Sequence, residues 1–227
     1  MAIGDFIQLE NVLTENEVHQ IKSIVKKRHF ENGQLTASGA AVSVKRNEQL
    51  KAGAENAQLE NFIMQALTRH PMVQRAVMPK MTMPPIISRY TPGMSYGTHV
   101  DSPLNGRDYT IRTDVGITLF LNNPEEYEGG ELEVMNNGEF KPYKFRAGDA
   151  ICYPTTQLHR VNEVKFGERL VAVTWMQCVI RDAHKRSLVF QAHEVVRGLE
   201  KKEMSNSKEH LSAQQLYSNL VRLWAEL

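Results

Sequence analysis

Cysteine is scarce in this chain, net charge is nearly absent, and long apolar runs are missing. The two cysteines, Cys152 and Cys178, lie in apolar, strand-like runs where a cysteine serves as a small core residue, so no chemistry is assigned to them. Lys plus Arg at 27 against Asp plus Glu at 26 leaves a net charge of +1, which removes any global case for nucleic acid or an anionic membrane surface. No stretch approaches the roughly 20 apolar residues that span a bilayer. The N-terminal text MAIGDFIQLENV has neither a basic region nor a long apolar run. The expectation is a soluble, cytoplasmic protein that meets neither nucleic acid nor membrane. At 227 residues and 41% apolar composition, the chain can bury one substantial core and a small appendage.

Residues 5 to 13 read as a short strand, and Thr14-Glu15-Asn16-Glu17 has the form of a capping box that opens a helix with Val18, Ile21, Ile24 and Val25 on one face. Residues 31 to 57 read as a surface connection with a strand at Ala41 to Lys45. Lys45 and Arg46 are taken as solvated charges, with an approach to a cavity mouth as the alternative. A second helix spans 57 to 78 with an interruption at Pro71. Strands follow: IISRY, the apolar DVGITLFLNN, ELEVM ahead of the hairpin signal Asn136-Asn137-Gly138, and a run ended by Pro154. After Val179 two amphipathic helices are expected; Leu211, Leu216, Leu220, Leu223 and Trp224 would dock on the main body or on a second copy. His184, His193 and His210 in this region read as ordinary side chains.

His99 and Asp101 stand two apart in a strand-like segment, and alternation points both to one face. Two imidazoles and a carboxylate on one face of an octahedral metal leave the other positions open, as in non-haem Fe(II) oxygenases; His159 supplies the third donor. Gly167 marks a turn between two apolar runs, so the strand carrying Arg169 is expected to fold back beside the His159 segment and bring a guanidinium near the metal. Its fork suits the distal carboxylate of a dicarboxylate. SPLNGRDYTIR after Asp101 reads as a loop at the mouth, a mobile lid with Arg107 and Arg112 as candidate substrate contacts.

RYTPGMSYGTHVD, RTDVGITLFLNNPEEYEGGELEV, AGDAICYPTTQLHRVNEV and GERLVAVTWMQCVIRD, in that order and spacing, resemble the Fe(II)- and 2-oxoglutarate-dependent dioxygenases of the prolyl-4-hydroxylase-like branch. The likeness is greatest to the bacterial PKHD-type hydroxylases, a group that includes proteins associated with iron uptake. The resemblance covers roughly residues 80 to 182 densely. It implies an α+β fold with a double-stranded β-helix, or jelly-roll, core, N-terminal scaffold helices and a C-terminal helical extension. The division is 1–180 for the dioxygenase unit and 181–227 for the extension. It implies Fe(II) on His99, Asp101 and His159, 2-oxoglutarate on Arg169 and Tyr90, O2 as co-substrate, and ascorbate as a supporting reductant. Tyr96 is a further cavity-lining candidate. The implied reaction is hydroxylation of an unactivated C–H bond in a small molecule or peptide, with 2-oxoglutarate decarboxylated to succinate and CO2. Retention of Asp101 separates the chain from halogenase relatives, which lack that carboxylate. A non-catalytic metal or 2-oxoglutarate sensor, or an iron-homeostasis protein on the same fold, is the alternative; a hydrolytic metalloenzyme has no use for a buried Arg169. Self-association through the C-terminal helices completes the set of expectations.

Overall fold

The structure is a computed structural model that describes residues 6–37, 39–51, 53–106 and 109–226. In chain order it opens with β1 (Ile7–Leu9), α1 (Glu15–Val25), β2 (Phe30–Asn32), α2 (Ala41–Val44), β3 (Lys45–Arg46), β4 (Glu48–Leu50) and α3 (Ala57–Arg69). There follow β5 (Pro79–Thr82), β6 (Ile86–Tyr90), β7 (Ser95–His99), β8 (Leu104–Asn105), β9 (Ile111–Arg112), β10 (Val115–Phe120), β11 (Tyr127–Gly129), β12 (Leu132–Asn136) and β13 (Glu139–Tyr143). The chain closes with β14 (Ala150–Pro154), β15 (His159–Val161), β16 (Val164–Gly167), β17 (Arg169–Cys178), α4 (Ala183–Lys201) and α5 (Lys208–Trp224).

Two antiparallel sheets make the body. The major sheet runs β1-β14-β10-β17-β6-β4-β2, with β5 also on β17; the minor sheet runs β13-β12-β15-β7-β3. Neighbours far apart in sequence, such as β10 beside β17 and β15 beside β7, make this a jelly roll rather than a meander. The expected α+β, double-stranded β-helix class therefore holds.

Alternation along the central strands sorts their side chains. On β17, Leu170, Ala172, Met176 and Cys178 enter a core shared with the helices, where Val18, Ile21 and Val25 of α1 and Leu59, Ile63 and Leu67 of α3 lie. Val171 faces the other way, into a second core with Tyr90, Phe120, Val134 and Tyr153 between the sheets. Burial on both faces explains why the apolar run of β10 shows no polar alternation. Both cysteines are buried and unpaired, as expected.

Local signals account for several boundaries. Thr14 and Glu17 form the capping box reciprocally: the Glu17 N–H donates to Thr14 Oγ1 at 3.3 Å and the Thr14 N–H to Glu17 Oε2 at 2.7 Å. The β12–β13 hairpin turns at Asn137 and Gly138, both with positive φ.

Three local expectations change. Residues 41 to 44 are a short helix, not strand, and Val44 rests on Gly97, where an added Cβ would come within 2.7 Å of Val44 Cβ. The stretch from 31 to 57 is not merely a surface connection, since it supplies β2, β3 and β4 and so joins both sheets. The strand bearing Arg169 does not return beside His159: β15 lies between β12 and β7 in the minor sheet, whereas β17 lies between β10 and β6 in the major one. Between them β16 leaves to pair with β11, and Gly167 at φ +75 makes the crossover.

Along the C-terminal segment α4 and α5 pack as a hairpin. Val189, Phe190 and Val196 of α4 are buried, but Leu211, Leu216 and Leu223 of α5 stay exposed rather than docking on the body. Among the described residues no helix is long and apolar enough to cross a membrane.

Candidate metal centre and cavity

Between the sheets lies a cavity of about 320 Å³, at the small end of the range for ligand sites. His99 ends β7 and His159 begins β15, and the two face each other in the strand register, with ring centroids 4.2 Å apart. Asp101 follows two residues after His99, and its Oδ1 lies 3.7 Å from His159 Nε2. One donor atom from each of the three lies within 4.8 Å of the others.

The second nitrogen of each imidazole is committed. His99 Nδ1 lies 2.8 Å from the Gly97 carbonyl and His159 Nδ1 3.0 Å from the Gln157 carbonyl. A carbonyl only accepts, so Nδ1–H donates in both rings and Nε2 keeps its lone pair for a metal. Burial, reinforced by His159, pushes the His99 imidazole down to about 3, so it stays neutral across the physiological range. Burial raises the Asp101 carboxyl, against the pull of His159, Trp175 and Lys45, and its Oδ2 has no hydrogen-bond partner. Two imidazoles with free lone pairs and a carboxylate with an orphaned buried oxygen fit a divalent metal of the Fe(II) type.

Across the cavity stands Arg169 on β17, the largest fully buried side chain among the described residues. Its guanidinium carbon lies 4.9 Å from the Tyr90 ring and 5.9 Å from Phe120, and its Nε has no partner. No carboxylate of the described residues lies within ion-pair distance of it. A buried cation without a counter-charge is costly, so the geometry suits an acidic ligand entering from the metal side. Gly130, at φ +66, makes the room: a Cβ there would stand 3.0 Å from Arg169 Cδ and 2.9 Å from Val164 Cγ2. Tyr90 is buried opposite Arg169 in the β6–β17 register.

Tyr96 stacks on His99 with centroids 3.6 Å apart and lines the cavity. The alternative reading of Lys45 prevails: it is 5% exposed and points into the cavity, because β3 pairs with β7 and turns it inward. Burial pushes the Lys45 ammonium down to about 8, while Asp101 opposes the shift. Its neighbour Arg46 is exposed, as a surface charge should be.

Arg112 does not line the cavity: Nε and Nη2 donate to Asp114 at 2.7 and 3.0 Å, and Nη1 reaches Glu226 at 3.3 Å. Arg107 lies outside the described residues. In the mouth segment β8 pairs with β9, an ordered ladder where a loop is expected, and its base is clamped where Thr113 Oγ1 donates to the Ser102 carbonyl at 2.5 Å. Leu104, Asn105 and Gly106 still reach the cavity. Thr36, Asn47, Gln49 and Trp175 also line it and were not anticipated. For Trp175 the signal was present, since positions 169, 171, 173 and 175 share one face of a strand.

Residues 85–177 match the family model described as the 2OG-Fe(II) oxygenase superfamily. A PKHD-type hydroxylase of Picosynechococcus sp. is 43% identical over 223 residues, covering 97% of this chain and 100% of the relative. Among solved structures, a Pseudomonas putida prolyl-4-hydroxylase superposes with a TM-score of 0.54 at 17% identity, covering 78% of this chain and 94% of that one. The viral collagen prolyl hydroxylase of Paramecium bursaria Chlorella virus-1, solved as a 2OG complex, gives 0.53 at 21% identity over 78% and 98%. At these identities the two structures speak for the fold.

Proposed function

This chain belongs to the PKHD-type hydroxylases of the 2OG-Fe(II) oxygenase superfamily, and on that footing we propose that His99, Asp101 and His159 hold Fe(II), and that Arg169 with Tyr90 holds the distal carboxylate of 2-oxoglutarate. The remaining cavity then takes the primary substrate, a small molecule or peptide hydroxylated at an unactivated C–H bond. One observation carries the reading: a compact two-imidazole, one-carboxylate cluster faces a fully buried guanidinium with no acid of its own. Bound together, iron and 2-oxoglutarate supply an O2-dependent oxidation in which 2-oxoglutarate is decarboxylated to succinate and CO2.

The chain's own residues supply position and shelter. The Gly97 and Gln157 carbonyls fix both imidazole orientations. Arg169, walled by Tyr90 and Phe120, would offer its guanidinium fork to one carboxylate. Tyr96 and Trp175 wall the cavity beside the cluster. Residues 1–180 form the catalytic unit in this reading and 181–227 an extension; the exposed leucines of α5 offer a face for a second copy. A cytoplasmic location and ascorbate support belong to the same proposal.

Anaerobic titration tests the assignment. His99→Ala and His159→Ala should lose Fe(II) binding and turnover. Arg169→Lys should keep iron and weaken 2-oxoglutarate roughly ten- to hundredfold, the worth of a charge-assisted bidentate contact. Unchanged iron stoichiometry in both histidine variants, or an unchanged dissociation constant for 2-oxoglutarate in Arg169→Lys, would sink the corresponding assignment.

A further inference from the structure

Lys45 and Asn47 stand two apart at the edge where the chain passes from the minor sheet on β3 to the major sheet on β4, and both turn into the cavity. They are 5% and 4% exposed. Lys45 Nζ donates to Thr36 Oγ1 at 2.8 Å and lies 5.2 Å from the Tyr96 ring centroid; Thr36 Oγ1 donates in turn to Gln49 Oε1 at 2.5 Å. No carboxylate of the described residues forms an ion pair with Lys45. Both side-chain amide atoms of Asn47 are buried without a hydrogen-bond partner of good geometry. Beside the Tyr90 phenol, which it neighbours, the amide still has capacity for a partner from the cavity.

The charge count says what enters. Asp101 is the one acid on the cavity wall among the described residues, against the two cations Lys45 and Arg169. On the reading above, a divalent metal adds two positive charges and 2-oxoglutarate two negative ones. One positive charge is left over on Lys45. The carboxylates of 2-oxoglutarate are already assigned, one to Arg169 and the other to the metal side.

We propose that Lys45, supported by Thr36, Asn47 and Gln49, forms a second acid-binding arm of the cavity that receives a carboxylate of the primary substrate, and that this substrate is a small organic acid. The inference rests on the iron and 2-oxoglutarate reading given above. The cavity's small volume matches such a molecule once 2-oxoglutarate is in place.

The test uses full-length protein loaded anaerobically with Mn(II) in place of Fe(II) and saturated with 2-oxoglutarate, then titrated calorimetrically with N-acetyl amino acids and with their C-terminal amides. Acids should bind at least about tenfold more tightly than the matching amides. Lys45→Met should abolish that preference and Lys45→Arg should retain it. Amides bound as well as acids, no acid bound at millimolar concentration, or a preference surviving in Lys45→Met would each overturn the proposal. So would a loss of 2-oxoglutarate affinity in Lys45→Met, which would assign the ammonium to the cofactor. Wild-type protein that fails to bind 2-oxoglutarate at all removes the underlying reading, and this inference with it.

Discussion

Lys45 holds its charge in the fold at a cost. Its ammonium is depressed from 10.5 to about 8 mainly by burial, and the titratable groups facing it are Asp101, His99 and Tyr96. Between those two values the unfolded chain binds more protons than the folded one. Stability therefore rises with pH across that window, and the penalty is full below about 8. In metal-free protein, Lys45→Met is expected to be more stable than wild type at pH 7, on the order of 2–3 kcal/mol. The difference should fade as pH climbs toward 10.5. Urea unfolding at both pH values reads it; a variant less stable at pH 7 would show that the Thr36 contact outweighs the desolvation. The same residue shows what a sequence hides. Its burial depends on a strand pairing with Tyr96, 51 positions along the chain, and no local pattern carries that.

Elements whose causes are local were legible; those set by distant partners were not. The Thr14–Glu17 box, the break at Pro71 and the Asn137-Gly138 hairpin each follow from a few adjacent residues. His99 and Asp101 were readable as a pair from their spacing, although the strand ends at His99 and Asp101 lies just beyond it. Gly167 announced a turn but not the sheet into which the chain turns, since that choice rests on β16 pairing with β11. Arg112 is held chiefly by Asp114, two residues on, a pairing the sequence offered, and Glu226, 114 residues away, adds a contact it did not. At this scale the turn between β11 and β12 carries a prediction. Gly130→Ala forces a side chain onto positive φ and presses a methyl against Arg169 Cδ, so 2-oxoglutarate affinity should fall while Fe(II) affinity is kept. Parallel titrations of the two ligands check this, and equal losses would place the damage in the fold as a whole.

Across the whole molecule, the two proposed binding groups sit on different sheets: His99 and His159 on adjacent strands of the minor sheet, Arg169 on the major sheet facing them. A metal on these residues would link neighbouring strands that are already hydrogen-bonded together. A dicarboxylate held at both ends would bridge two sheets whose facing surfaces meet through packed side chains. In mechanical language it is a cross-brace, and removing it frees a mode of motion that the backbone ladder does not resist. Metal alone should raise the melting temperature modestly, and 2-oxoglutarate added to metal-loaded protein should raise it further, since binding at a hundredfold excess over its dissociation constant adds about 2.7 kcal/mol of stability. Arg169→Lys should show the first increment and lose most of the second. Hydrogen exchange should slow along the β10–β17 ladder when the brace is in place, although the ligand touches few of those amides. On that reading, the supply of co-substrate would register in the protein as stiffness.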